Sequence, residues 1–237
     1  MEKAVIGIVE KPEEDKENLC KKMKIDDELR YLVIKNGAIA IGILPTDFTL
    51  DFNDNDIKDE KELTKEEKED LYQIVDKCDG IILQGGLVSC KYEIEVAKRA
   101  IQKDIPIIGI CAGFNNLLRA VGGDVILDDK GTHDFYDINY RHEIKIQKDT
   151  ILYNILNTEK LNVNSIHQMI ANREMVEPFA KISSYSTDNL VESFEIPNKR
   201  FAIGLKWHLE LMLGEESTEL IFERYINECK ARKIEMK

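Results

Sequence analysis

The segment Pro106-Ile107-Ile108-Gly109-Ile110-Cys111-Ala112-Gly113-Phe114 sets the tightest limit on how this chain folds. A short apolar run ends in Gly-x-Cys-x-Gly, and Phe114, Leu117, Leu118 and Val121 then recur at helical spacing. The order is strand, sharp turn, helix, with one reactive side chain carried on the turn. Glycines on both sides leave room for the bend. The helix behind it aims free N–H groups and the positive end of its dipole at the thiol. A thiol so placed ionises more readily, and the thiolate is its reactive form. Taken alone, Gly-x-Cys-x-Gly also describes a buried packing cysteine.

The surrounding sequence repeats the same alternation. Ala4 to Val9 reads as a buried strand, 26 to 36 as a helix with Asp26 at its cap, and Ala38 to Leu44 as a second strand. Residues 46 to 63 read as a polar surface loop, and the acidic stretch 51 to 70 as a solvated loop and helix face. Thr64 and Glu67 have capping-box spacing, and Leu71, Ile74, Val75 and Cys78 mark an amphipathic helix over 65 to 78. Ile81 to Leu83 is a short strand ending at Gly85-Gly86, followed by a helix over about 91 to 103 and the strand Ile105 to Ile110. Gly122-Gly123 stops the next helix. Alternation of this kind predicts a mostly parallel sheet covered on both faces.

The second half reads differently. Val125 to Leu127, His142 to Ile146, Val163 to Ser165, Lys181 to Ser186, Val191 to Ile196 and Phe201 to Trp207 look like strands joined by tight turns, so antiparallel additions are expected. A final helix spans about 216 to 232, with Phe222, Tyr225, Ile226 and Cys229 inward. No repeat, linker or domain boundary interrupts residues 1–237, which suit one domain with an ample core.

Charge narrows the partners. Lys plus Arg number 33 against 45 Asp plus Glu, a formal charge of -12. An acidic surface argues against nucleic acid, which needs a basic stripe. No apolar run is long enough to span a membrane, and the start of the chain lacks a signal-peptide pattern. The five cysteines are scattered without a Cys-x-x-Cys pair, which fits reduced thiols in a cytoplasmic protein. The histidines, His133, His142, His167 and His208, show no metal-ligand spacing. Neither a metal nor another cofactor is expected.

Three features fall at carboxyl ends of strands, where open α/β sheets bind ligands: Gly85-Gly86, Cys111 and His208. Trp207-His208-Leu209-Glu210 offers a base and its orienter. If the strand runs that far, residues 208 and 210 share one face. The imidazole would deprotonate the thiol and later protonate a leaving amine. Backbone N–H groups of Gly86 and Ala112 are natural donors to an oxyanion. The chemistry indicated is acyl transfer through a thioester.

Gly109-Ile110-Cys111-Ala112-Gly113, Cys78-Asp79-Gly80-Ile81-Ile82-Leu83-Gln84-Gly85-Gly86 and Trp207-His208-x-Glu210 together resemble the class I glutamine amidotransferase superfamily. The chain most resembles its γ-glutamyl-γ-aminobutyrate hydrolase-like branch, through Gly7 to Pro12 and Asn164-Ser165-Ile166-His167-Gln168. The resemblance implies a flavodoxin-like three-layer α/β sandwich. It implies Cys111 as nucleophile, His208 as base and acid, Glu210 as orienter, and an oxyanion hole at Gly86 and Ala112. It further implies that Asn115, Asn164, Ser165, His167 and Gln168 hold the γ-glutamyl group. The chain departs from the pattern at Ala112 (usually Arg), Asn115 (often Gln), Leu209 (usually Pro), Gln168 (usually a second His) and a compact Leu87 to Lys91.

Three functions fit this reading. The first is a stand-alone hydrolase releasing glutamate from small γ-glutamyl amides. The second is a glutaminase subunit that delivers ammonia to a separate synthase partner. The third is a non-catalytic regulatory protein on the same fold. The identity of the amine and the oligomeric state, a homo-oligomer included, stay open.

Overall fold

The computed structural model describes residues 2–13, 20–50, 57, 60–86, 90–135 and 137–236. The first half follows the alternation read from the sequence. Strand β1 (Val5–Val9) leads through a short ribbon, β2 (Lys11–Glu13) with β3 (Lys22–Lys24), into helix α1 (Asp27–Lys35) and strand β4 (Ile39–Ile43). Helix α2 (Lys65–Val75), strand β5 (Gly80–Leu83), helix α3 (Lys91–Gln102), strand β6 (Ile107–Ile110) and helix α4 (Ala112–Ala120) complete it. The Thr64–Glu67 capping box forms at the start of α2, each side chain bonding the other's backbone N–H.

The second half supplies β7 (Ile126–Leu127), β8 (His142–Ile146), α5 (Ile151–Leu156), β9 (Lys160–Val163), β10 (Met169–Ile170) and α6 (Arg173–Val176). Strands β11 (Lys181–Ser186), β12 (Val191–Glu195) and β13 (Ala202–Leu205), a 3-10 turn at Leu209–Met212 and helix α7 (Glu216–Glu235) follow. Nine strands form one sheet in the order β4-β1-β5-β6-β13-β12-β11-β8-β9. The first five are mutually parallel, in flavodoxin-like order, and the last four add on antiparallel.

Because both faces of β1, β5, β6 and β13 are covered, their residues are apolar or glycine, whereas edge strand β4 is partly exposed. Ile81, Leu83, Ile107 and Ala202 face one apolar layer with α2, α3 and α4. Ile6, Ile8, Ile82, Ile108, Ile203 and Leu205 face the other with α1 and α7. The result is a helix–sheet–helix sandwich, as expected. No helix among the described residues is long and apolar enough to cross a membrane.

Four local expectations need correction. The strand expected at Val163 to Ser165 is Lys160–Val163, and Asn164 and Ser165 begin the loop after it. Strand β13 stops at Leu205, so His208 and Glu210 do not share a strand face; a turn and the 3-10 segment bring them together. Asp26 occupies the N-cap of α1 but makes no side-chain cap bond. In the acidic loop, Ile57 and Leu63 are buried rather than solvated. Residues 51–56 and 58–59 of that loop, and 87–89 of the stretch expected to be compact, lie outside the described residues.

Candidate active site

Strand order explains why distant segments meet. Strand β6 lies between β5 and β13, with Leu83 and Gly109 paired on one side and Leu205 and Ile110 on the other. The Cys111 N–H donates to Leu205 O at 2.9 Å, continuing the ladder one residue past β6. Cys111 therefore leaves the sheet beside the ends of β5 and β13, which deliver Gly85-Gly86 and His208.

Cys111 itself has φ 52° and ψ -103°, a left-handed conformation unusual for a residue with a side chain. The flanking glycines make the bend sterically feasible. A Cβ on Gly113 would lie 2.1 Å from Leu83 O, and one on Gly109 would lie 2.5 Å from Gly113 O. No side chain fits where α4 packs this closely on the sheet. Ala112 and Gly113 occupy the first turn of α4, where N–H groups have no partner inside the helix.

The His208 imidazole lies beside the thiol, near enough that each group shifts the other's titration. On the ring's other side, Nδ1 lies 2.6 Å from Glu210 Oε1. A contact that short with a carboxylate assigns the proton to Nδ1 and leaves Nε2 for the sulfur. Gly85 is the floor of this arrangement: a Cβ there would come within 2.5 Å of His208 Cε1 and 3.5 Å of Cys111 Cβ.

The electrostatics favour charge separation. Burial raises the Cys111 pKa, but the nearby His208 charge outweighs it, so the thiol titrates below its ordinary value. Burial likewise opposes the His208 cation, but Glu210 and the sulfur outweigh it and hold the ring's pKa well above the usual imidazole range. Both shifts favour the thiolate–imidazolium form of the pair. Such a pair, next to backbone donors, is equipped to attack a carbonyl and then protonate what leaves.

The other residues singled out from sequence occupy the second layer. Asn164 is buried, and its amide brackets His208: Oδ1 accepts from the His208 N–H at 2.9 Å, and Nδ2 donates to the His208 carbonyl at 2.8 Å. Ile166 O lies 3.7 Å from the Cys111 sulfur. Asn115 Oδ1 accepts from Lys206 Nζ at 2.6 Å. Ser165 and His167 point into a buried cluster with His133, and Gln168 Nε2 donates to Asp134 at 3.0 Å near the surface.

Among the buried charged residues not singled out from sequence, Lys206 and Glu192 both interact electrostatically with Cys111. Lys206 is 1% exposed; burial lowers its pKa to about 8, and its ammonium sits 4.9 Å from the Phe114 ring centroid. Glu192 is wholly buried, which raises its pKa to about 8. Both stand in runs whose flanking residues are apolar or small, Val191-Glu192-Ser193 in β12 and Leu205-Lys206-Trp207 just past β13. A charge embedded in such a run is the signal that could have exposed them, since charged groups are rarely fully buried unless partnered.

The family described as Peptidase C26 matches residues 90–210, more than half of the chain. Protein NtpR of Enterococcus hirae is 30% identical over 159 residues, 62% of this chain and 65% of that protein, just under two thirds of its length. The γ-glutamyl-γ-aminobutyrate hydrolase PuuD of Escherichia coli is 26% identical over 192 residues, 67% of this chain and 75% of PuuD. Among solved structures, the glutaminase domain of Trypanosoma brucei CTPS with bound acivicin superposes with a TM-score of 0.62. It is 17% identical, with 94% of each chain covered, a likeness of fold.

Proposed function

The chain belongs to the Peptidase C26 family, within the class I glutamine amidotransferase superfamily, and we propose that it is a cysteine-dependent hydrolase of small γ-glutamyl amides. Its relatives support a hydrolase or glutaminase role at the coarser level. The observation that carries the finer reading is the row formed by the left-handed Cys111, the His208 ring that meets it over Gly85, and the Glu210 carboxylate 2.6 Å from that ring.

In this reading the Cys111 thiolate attacks the γ-carbonyl carbon, and the carbonyl π pair moves onto oxygen. The N–H groups of Gly86 and Ala112 receive that oxyanion; removing one such donor typically costs about 10²–10³ in rate. The intermediate collapses with cleavage of the C–N bond as His208 gives its Nε2 proton to the departing nitrogen. This leaves a γ-glutamyl thioester and neutral imidazole. His208 then takes a proton from water as its oxygen attacks the thioester, and glutamate and thiolate are released. Glu210 stabilises the imidazolium twice in the cycle.

Asn164 and Asn115 act as positioning residues in this scheme, because their amides are engaged with His208 and Lys206. Ser165, His167 and Gln168 would act on the γ-glutamyl group indirectly, by fixing the loop they share with Asn164 through His133 and Asp134. The amine side of the pocket is built by loops, and the leaving group is left as a small amine.

The test is a liquid-chromatography screen of γ-glutamyl amines, a γ-glutamyl anilide and glutamine, with wild type and Cys111→Ala in parallel. Glutamate release from γ-glutamyl amines by wild type alone is the expected result. Turnover of glutamine only, and only with a co-purified synthase, would favour the glutaminase reading. No turnover of any substrate with an intact thiol would favour a non-catalytic role.

A further inference from the structure

We propose that His133, His142 and Glu192, flanked by His167, form a binding site for one divalent transition-metal ion, with Zn²⁺ as the representative ion. Three of the chain's four histidines converge on this one carboxylate, and none of the four residues is needed for the proton transfers described above. Sequence spacing concealed the cluster. His133 lies in the loop after β7, His142 opens β8, His167 follows β9, and Glu192 is the second residue of β12.

The separations favour an ion over a shared proton. His133 Nδ1 is 3.5 Å from Glu192 Oε1, His167 Nε2 is 3.8 Å from the same oxygen, and His142 Nε2 is 3.9 Å from Oε2. One ligand atom from each of His133, His142 and Glu192 falls within 4.8 Å of the others. Hydrogen bonds between nitrogen and oxygen are about 2.7–3.2 Å long, so these gaps are too wide for one. A tetrahedral ion with bonds of about 2.0–2.2 Å holds its ligand atoms roughly 3.4 Å apart, close to the gaps seen.

Hydrogen bonds do not account for the cluster either. His167 Nδ1 lies 3.1 Å from Met169 O, which fixes the proton there and leaves a lone pair on Nε2. His133 Nε2 lies 3.1 Å from Asp188 Oδ2, which leaves its lone pair on Nδ1. Ser165 Oγ is near both lone pairs, at 3.2 and 3.4 Å, but its single proton goes to the His133 carbonyl at 2.8 Å. Both Glu192 oxygens and His142 Nε2 are buried without a hydrogen-bond partner. The lone pairs assigned to His133 and His167 thus face Glu192 and His142 with no hydrogen bond joining the rings to the carboxyl group. Lys206, the nearest ammonium, is turned to Asn115 instead. Asp188 and Met169 O orient the two rings from behind, as outer-shell partners do at metal centres. Imidazole nitrogen and carboxylate oxygen are a donor set suited to Zn²⁺.

The site would brace the loop that serves His208 and Cys111. His167 N donates to His133 O at 3.1 Å and Phe135 N to Ser165 O at 3.0 Å, so an ion tied to His133 would fix the 164–167 segment. That segment carries the Asn164 bracket and the Ile166 carbonyl.

The test is Zn²⁺ binding to the full chain after chelation and dialysis, read by calorimetry and elemental analysis, with Co²⁺ absorption as a second probe. Wild type and Cys111→Ala are expected to bind one ion per chain. Glu192→Gln and His142→Ala are expected to lose at least about 100-fold in affinity, and Asp188→Asn about 10-fold, as an outer-shell change. Thermal unfolding keeps the test meaningful if a variant is weakened: added Zn²⁺ should raise the Tm of wild type and not of a folded Glu192→Gln protein. Absence of binding by wild type would overturn the proposal. So would binding that survives in Glu192→Gln but vanishes in Cys111→Ala, which would place the ion on the cysteine.

Discussion

Replacing Gly85 with alanine tests the spatial arrangement without altering any reacting group. The added methyl would sit 2.5 Å from Cε1 and 3.1 Å from Nδ1 of His208. Carbon atoms in contact prefer about 3.5–4.0 Å, so the ring must retreat by about 1 Å. It has little freedom to swing, because Glu210 holds Nδ1 at 2.6 Å and Asn164 brackets its backbone. A displacement of about 1 Å between reacting groups costs about 10²-fold in rate, which corresponds to about 2.7 kcal/mol of barrier. Overpacking a well-filled site costs about 1–3 kcal/mol of stability. Gly85→Ala is therefore expected to fold, to lose about 100-fold in kcat/KM on a γ-glutamyl substrate, and to slow alkylation of Cys111. Both rates and the Tm should be measured on one preparation. A folded Gly85→Ala protein with wild-type turnover and wild-type alkylation would refute the reasoning, since the ring would not be where the contact requires it.

Three further outcomes follow from the same geometry. Asn164→Ala removes both hydrogen bonds to the His208 backbone and should lower kcat more than it raises KM, with a stability loss of about 1–3 kcal/mol measured by denaturant titration. Gly113→Ala would drive a methyl to 2.1 Å from Leu83 O, rigid backbone on both sides, and should cost about 3 kcal/mol or more, seen as a lower Tm. The pH dependence of iodoacetamide alkylation checks the electrostatics: His208 lowers the Cys111 pKa, so the thiolate forms at lower pH and the midpoint should fall below the ordinary 9.0. In His208→Ala, burial is the largest remaining influence, and the midpoint should rise above 9.0.

The core of the fold was legible because its sequence is locally consistent. Buried parallel strands read as short apolar runs, the Thr64–Glu67 box announced α2, and the glycines around Cys111 marked the elbow before their contacts with Leu83 O were visible. Strand order along the carboxyl edge then brings Gly85, Cys111 and His208 together. The reading failed where tertiary packing overrides local pattern. Asn164 and Ser165 look like a strand end by side-chain type, yet their polar groups are committed to His208 and His133, and the chain leaves the sheet to make those bonds. Alternation suggested that His208 and Glu210 share a strand face; the short contact instead comes from a turn past Leu205. The His133–His142–His167–Glu192 cluster spans four separate elements, so no window of sequence contains it.

The most direct measurement of the central claim is the mass of the protein after acid quench during turnover of a slowly hydrolysed γ-glutamyl ester or anilide. A γ-glutamyl adduct is expected on the peptide that carries Cys111, accumulating in wild type and missing from Cys111→Ala, which should also release no glutamate. Glutamate released at the wild-type rate by Cys111→Ala, or an adduct on another residue, would contradict the account.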